Sequence, residues 1–297
     1  MPAPLEVPAP LRIDRLLLEF GRRTYIMGIL NVTPDSFADD GVMDAAMDRG
    51  RAMLAEGADL LDVGGESTRP GAVPVPLEEE LRRVVPVVKR LVAELGAPVS
   101  VDTTKSEVAR QALRAGAGMI NDVSALRADP EMATIVAEAQ VPVVLMHMGA
   151  RQAAVRLSDS ESMGGDTVAA DIIAGDLIAE IRRFLAERIG AAVRAGISRD
   201  RILIDPGFGF GKTLRQNLEL LRRLGELRAL GRPILIGTSR KGTIGKVLGG
   251  LPVAERLEGT AATVAVAIMH DADIVRVHDV RAMARVARMT DEIMRHA

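Results

Sequence analysis

Three polar residues that directly follow short apolar runs have side chains suited to binding a flat nitrogen heterocycle. They are Asp102, Asn121 and Asp205. A carboxylate accepts two parallel hydrogen bonds from an amino-amidine edge, and an asparagine side chain both donates and accepts. These residue types therefore predict a heterocycle pocket. Two alternatives stay open, namely metal binding by the two aspartates, without a histidine at ligand spacing, and a helix-capping role for Asp102.

A second group of residues suits an anion. Arg276 and His278 alternate along one apolar run, so their side chains point the same way on a strand. Asn31 ends the first run and neighbours the last one if the strands close into a barrel, where it could hold a phosphate-bound cation. Together these residues predict a diphosphate site. The structural alternative is an ion pair of Arg276 with Asp273 or Asp279.

Glycine-rich segments also follow apolar runs. Residues 206–213 end like a phosphate-binding P-loop, but Pro206 stands where that motif has its first glycine, so a nucleotide site is not predicted. Residues 239–243 precede a predicted helix whose first N–H groups could receive a carboxylate or phosphate. Arg69 lies in a further loop flanked by glycine and proline.

The elements that must position these residues alternate along the chain. Short β-branched runs predict strands buried on both faces, at 25–30, 60–63, 99–101, 119–120, 141–146, 202–204, 234–236 and 274–277. Apolar spacing near 3.6 residues predicts helices at 44–56, 77–95, 105–114, 130–138, about 168–194 and 216–224. This alternation favours an α/β fold, a (β/α)8 TIM barrel. An open doubly wound sheet is the rival, but its usual G-x-G-x-x-G fingerprint is missing.

We expect one barrel domain over residues 21–297, preceded by a tail and lead-in over residues 1–20. Barrels of this kind carry out chemistry at the carboxyl ends of their strands. The residues at those ends are polar or charged: Asn31, Glu66, Asp102, Asn121, His147, Asp205, Lys241, Arg276 and His278. We therefore predict that they share one mouth, the alternative being that they only mark where strands stop.

The composition excludes several classes of protein. The 297 residues carry a net charge of −2, which gives no long-range attraction to nucleic acid or an anionic membrane. Aromatic residues make up 2%, too few for a base-stacking platform, and without cysteine there is no thiol nucleophile. No apolar run approaches the ~18 residues of a membrane helix. We expect a cytoplasmic protein that binds small molecules rather than nucleic acid or membranes.

Nine phrases of the sequence resemble the dihydropteroate synthase family and occur in the family's order. They lie at 31–37, 64–71, 101–105, 120–124, 145–148, 205–212, 239–241, 259–262 and 276–280. The resemblance implies a TIM barrel that condenses hydroxymethyl-dihydropterin pyrophosphate with p-aminobenzoate to give dihydropteroate and pyrophosphate. It also implies Mg²⁺ beside the diphosphate, dissociative loss of pyrophosphate before the arylamine attacks, and a homodimer.

The same resemblance implies roles for single residues. The pterin pocket would be lined by Asp102, Asn121, Met146, Asp205, Phe210 and Lys241. Asn31 would meet the metal, and Arg276 and His278 would hold the diphosphate. The aminobenzoate site would be formed by Phe37, Thr68, Arg69, Pro70 and Thr243. The residues implied in catalysis are Asp35, Thr68, Arg69 and Lys241, three of which belong to two mobile loops.

The chain departs from the family pattern in three places. Gly242 stands where many members carry a serine that helps to bind the aminobenzoate carboxylate, a role that Thr243 or backbone N–H groups could take. Residues 149–175 do not follow the usual pattern, and Asp271 replaces a common glycine in a predicted surface turn. Two rival functions are a corrinoid-linked methyltetrahydrofolate methyltransferase and a catalytically silent paralogue.

Overall fold

The computed structural model describes residues 7–32, 41–66, 73–149 and 176–295, with the backbone alone at residues 41 and 42. The described chain begins with two short strands, β1 (Leu11–Ile13) and β2 (Leu16–Leu18), which form an antiparallel hairpin. Asp14 in the two-residue turn has φ 51°, a left-handed conformation that aspartate tolerates better than most residues. The sequence had predicted only a lead-in for this segment.

Eight parallel strands of the described chain follow, and they form the predicted barrel. They are β3 (Tyr25–Asn31), β4 (Leu60–Gly64), β5 (Val99–Asp102), β6 (Met119–Asp122), β7 (Val143–Met146), β8 (Ile202–Asp205), β9 (Leu235–Ile236) and β10 (Ile274–Val277). Their order is β8-β7-β6-β5-β4-β3-β10-β9. A parallel bridge between Ile204 and Ile234 brings the two ends of this order together. The fold is a TIM barrel, and its strands start and end within one or two residues of the predicted bounds.

Helices occupy most of the intervals between the strands. Among the described residues they are α1 (Gly41–Ala55), α2 (Leu77–Leu95), α3 (Ser106–Arg114), α4 (Met132–Ala139), α5 (Leu177–Arg194), α6 (Leu214–Arg222), α7 (Gly242–Val247), α8 (Leu257–Met269) and α9 (Val280–Arg295). Local signals fix several ends. Thr213 and Gln216 form a reciprocal capping box at the start of α6, and Gly96 ends α2 with φ 60°.

The core has two parts. The larger cluster lies between the strands and the surrounding helices. The second cluster joins the hairpin side chains Leu11, Ile13 and Leu18 to residues near the strand beginnings, such as Met119 and Ile274. The hairpin therefore covers the amino-terminal end of the barrel and leaves the carboxyl end for the mouth. No helix in the described ranges is both long enough and apolar enough to span a bilayer.

Candidate active site

A cavity opens at the carboxyl ends of the strands. It is lined by Asp102, Asn121, Val123, Met146, Asp205, Phe208, Phe210, Gly237, Lys241 and Arg276. Every residue that was predicted for the pterin pocket is among them. The parallel register explains part of this convergence, because Asn121 on β6 lies level with Asp102 on β5, and Met146 on β7 lies level with Asp205 on β8.

Arg276 lies inside this cavity and binds two carboxylates. Its Nε donates to Asp62 Oδ2 at 2.5 Å, and its Nη2 donates to Asp102 Oδ2 at 2.8 Å. Burial alone would lower the pKa of Arg276, but Asp62 and Asp102 more than offset burial and raise it. Its charge is therefore permanent.

The structural alternative for Arg276, an ion pair with Asp273 or Asp279, is wrong. Asp273 pairs with Arg228 at 2.8 Å, and Asp279 pairs with Arg240.

Asp62 is a site residue that the sequence analysis missed. It is fully buried on β4, and its Oδ2 also accepts a hydrogen bond from Asn121 Nδ2 at 3.1 Å. Asp62 thus orients both Arg276 and Asn121 from below. The available signal was a charged residue inside an otherwise apolar strand.

Asp205 and Lys241 form the opposite side of the cavity. Burial raises the pKa of Asp205, although the N–H of Gly207 donates to its Oδ1 at 2.7 Å and opposes that rise. Lys241 donates to the carbonyl oxygen of Phe208 at 2.9 Å, and its Nζ lies 4.0 Å from the centre of the Phe210 ring. Burial lowers the pKa of Lys241 to about 8.

An apolar wall completes the cavity. Val123, Met146, Met148 and Phe210 form a buried cluster separate from the main core. Thioether and aromatic side chains pack well against a flat ring. The cavity thus combines a wall for a ring with carboxylate, amide and ammonium groups for its edges, which is the pattern of a polar heterocycle site.

Three further predicted residues lie near the mouth without lining the cavity. Asn31 ends β3 and is exposed, and β3 pairs with β10, the strand that carries Arg276. His278 follows β10, and its backbone N–H and ring Nδ1 lie 3.1 and 3.0 Å from Ser239 Oγ. Thr243 is buried in the first turn of α7. Arg276 therefore lines the cavity, whereas His278, two residues further along the chain, does not.

Asp35, Phe37, Thr68, Arg69 and Pro70 lie outside the described residues, so their roles stay predictions. The described residues contain no cluster of three or more His, Asp or Glu side chains that could hold a metal ion. Mg²⁺ commonly takes one or two protein ligands and completes its shell with phosphate oxygens and water, and the exposed amide of Asn31 fits such a minimal contribution.

The surface turn predicted at position 271 is confirmed. Asp271 is exposed and has φ 69°, in the region that glycine adopts most readily, which explains why glycine is common there.

Comparison with known proteins connects this site to a reaction. The family of pterin-binding enzymes matches residues 27–278. The chain is 45% identical over 292 residues to the dihydropteroate synthase of Synechocystis sp., covering 97% of this chain and 96% of that protein. The chain belongs to the dihydropteroate synthase family. It is therefore a transferase of folate biosynthesis.

Solved structures of dihydropteroate synthases share the fold over nearly the whole chain. The Xanthomonas albilineans enzyme with 4-aminobenzoic acid is 47% identical with a TM-score of 0.83, and the match covers 97% of this chain and 98% of that one. The same enzyme in complex with 7,8-dihydropteroate gives 45% identity and a TM-score of 0.81, with 96% and 98% covered.

Proposed function

We propose that the cavity holds the pterin ring of hydroxymethyl-dihydropterin pyrophosphate while the chain joins its methylene carbon to p-aminobenzoate. The observation that carries this assignment is the convergence of Asp102, Asn121, Asp205 and Lys241 around the apolar wall in one cavity. Asp205 accepts hydrogen bonds from the amino and ring N–H groups of the pterin, and Lys241 donates to its ring acceptors. Met146 and Phe210 contact the ring faces.

The pyrophosphate lies towards the rim, at the ends of β3 and β10. Arg276 and His278 bind its oxygens, and the Asn31 amide oxygen is the protein ligand of Mg²⁺. When bound, this ion neutralises the charge that develops on the leaving group. Arg276 contributes a permanent positive charge, which the carboxylates of Asp62 and Asp102 hold in place.

The transfer breaks the bond between the methylene carbon and the pyrophosphate oxygen, and the electron pair leaves with that oxygen. The carboxylates of Asp102 and Asp205 stabilise the resulting pterin-methylene cation. The arylamine nitrogen then supplies the pair for the new C–N bond, and its proton passes to water. We propose Asp35, Thr68, Arg69 and Lys241 as the catalytic residues, and Phe37, Thr68, Arg69, Pro70 and Thr243 as the aminobenzoate site.

We further propose that the chain forms a homodimer through its carboxyl-terminal helices. Met269, Met289 and Ile293 expose 52%, 62% and 57% of their surface, and α8 packs directly on α9. Exposed apolar groups of this size on adjoining helices favour burial against a second copy. We place the enzyme in the cytoplasm, because a multiply charged diphosphate substrate crosses apolar membranes only at high cost.

The decisive assay is pyrophosphate release by the purified chain. We expect release that requires Mg²⁺, the pterin pyrophosphate and p-aminobenzoate together, with dihydropteroate formed in equal amount. Omitting p-aminobenzoate is the control for simple hydrolysis. Release that is independent of p-aminobenzoate, or methyl transfer from methyltetrahydrofolate, would overturn the proposal.

A further inference from the structure

Residues 206–211 supply part of the cavity lining, including Phe210 of the apolar wall. This segment leaves the end of β8 with φ 70° at Gly207 and φ 81° at Gly209. A Cβ atom on Gly207 would overlap the carbonyl oxygen of His147, so this segment lies hard against the end of β7. The segment carries Phe210, whose ring lines the cavity, and Phe208, whose carbonyl oxygen binds Lys241.

The ammonium of Lys212 contacts backbone carbonyl groups of residues 206–211 and of His147, which follows β7. Its Nζ donates to the Gly207 oxygen at 2.9 Å and lies 3.4 Å from the carbonyl oxygens of Phe210 and His147. The same Nζ lies 3.0 Å from His147 Nδ1. One cation thus links the two ends of the 206–211 segment to the residue after β7.

Lys212 and Lys241 hold the segment from opposite sides. Lys241 binds the Phe208 carbonyl and the Phe210 ring from within the cavity, whereas Lys212 does not line the cavity. Asn217 adds a third contact, since its Oδ1 accepts from the Gly209 N–H at 2.6 Å. The position of the Phe210 ring therefore depends on groups that do not touch the cavity.

The surroundings of Lys212 disfavour the charged form of its side chain. Burial lowers its pKa, the nearby charge of Lys241 acts in the same direction and Asp205 and Glu180 oppose them, which leaves the pKa at about 7. Burial also lowers the pKa of His147 to about 3, so the imidazole is neutral at pH 7. Burial of an ammonium costs free energy unless hydrogen bonds compensate it. For Lys212 the compensating partners are carbonyl oxygens and a neutral ring nitrogen.

We propose that Lys212 is a positioning residue for pterin binding. Its ammonium fixes the carbonyls of Gly207 and Phe210, and this places the Phe210 ring against the pterin and the Phe208 carbonyl on Lys241. The inference rests on the proposed pterin site. The glycine-rich sequence that resembles a P-loop thus uses its lysine to bind its own backbone instead of a phosphate.

The test is calorimetric titration of the protein with 6-hydroxymethylpterin, which probes the ring site without the diphosphate. We expect Lys212→Met to raise the Kd of 6-hydroxymethylpterin at least tenfold. The KM for the pterin substrate should rise by a similar factor, whereas kcat should change less than threefold. Lys212→Gln, which keeps N–H donors, is the second variant if Lys212→Met accumulates poorly, and we expect an intermediate loss.

Arg228→Met is the matched control. Arg228 is another buried cation that binds a backbone carbonyl, that of Asp271, but it lies at the opposite end of the barrel beside Asp273. We expect this variant to lower Tm while keeping Kd within twofold. Equal weakening by both variants, or a Kd of Lys212→Met within twofold of the parent, would show a general stability role. Failure of the parent chain to bind the probe would instead overturn the pterin site itself.

Discussion

Arg276 and Asp102 form an ion pair within the pocket, with 2.8 Å between Nη2 and Oδ2. One of these residues is assigned to the pyrophosphate and the other to the pterin, so the two halves of the substrate site share a charge pair. A pterin that binds Asp102 and a pyrophosphate that binds Arg276 both compete with this contact. Occupancy of one half therefore alters the electrostatics of the other.

The ion pair between Arg276 and Asp62 should contribute to the free energy of unfolding. Arg276→Met leaves the fully buried Asp62 without its cation, and we expect a loss of about 3–5 kcal/mol in the free energy of unfolding, as for other broken buried pairs. The double variant with Asp62→Asn removes the unpaired charge and should be more stable than Arg276→Met alone. Urea unfolding measures both. Additive losses from the two substitutions would show that the residues do not interact energetically.

Asp205→Asn should nearly abolish activity without unfolding the barrel. Asparagine keeps an oxygen for the Gly207 N–H but turns one acceptor into a donor that faces a pterin donor in a buried site. We expect kcat/KM for the pterin substrate to fall by more than tenfold, which corresponds to ~1.4 kcal/mol. A thermal melt of the variant is the control. Retention of more than a tenth of the activity would remove Asp205 from pterin recognition.

Gly242→Ser should strengthen p-aminobenzoate binding. A Cβ atom added at Gly242 meets nothing within 4 Å, so the serine needs no rearrangement. One hydrogen bond to the carboxylate lowers KM for p-aminobenzoate by an amount worth at most roughly 1.5–3 kcal/mol. Gly242→Ala is the matched control, because it changes the backbone and the volume without adding a hydroxyl. If serine and alanine give the same KM, Thr243 or backbone groups already satisfy the carboxylate.

The lowered pKa of Lys241 predicts an alkaline limit to activity. Since its ammonium must be protonated to donate to the pterin, kcat/KM for the pterin substrate should fall as the pH rises through about 8. Lys212, with its pKa near 7, contributes a shallower decline beginning earlier. Lys241→Arg stays charged and should lose the limb near pH 8, although its absolute activity is lower. An identical pH profile in this variant would assign the limb to another group.

If the exposed apolar groups on α8 and α9 form the dimer interface, a charged residue placed among them should weaken the homodimer. Ile293→Glu puts a carboxylate in the proposed interface, and we expect light scattering after size-exclusion chromatography to shift from dimer mass towards monomer mass. Val193→Glu is the matched control, because Val193 is an exposed aliphatic residue on a different helix, α5. A parent chain that is monomeric at all concentrations would contradict the proposal.

The positions of the strands and most of the pocket could be predicted from the sequence because most strands are short apolar runs that stop at a polar residue. Asp102, Asn121 and Asp205 reach the same cavity because parallel strands end on one side. Contacts between distant strands could not be predicted in this way. Arg276 on β10 binds Asp62 on β4, and nothing in either local sequence names the other partner.

Two further features were hidden for different physical reasons. The hairpin of β1 and β2 has only three residues in each strand, too few for alternation to stand out. Lys212 belongs to an imperfect nucleotide motif and to the family phrase 205–212, but most of its contacts are backbone carbonyls, which carry no residue identity in the sequence.

The hairpin at the base of the barrel has a consequence for how the chain is made. Leu11, Ile13 and Leu18 pack on residues from strands along the whole chain, ending with Ile274 on β10. Synthesis proceeds at roughly 5–20 residues per second, so the hairpin segment waits on the order of tens of seconds for its last partner, Ile274. During that interval it is available to other chains or to a chaperone. Packing of the amino-terminal hairpin therefore completes only after the last strand of the barrel has been made.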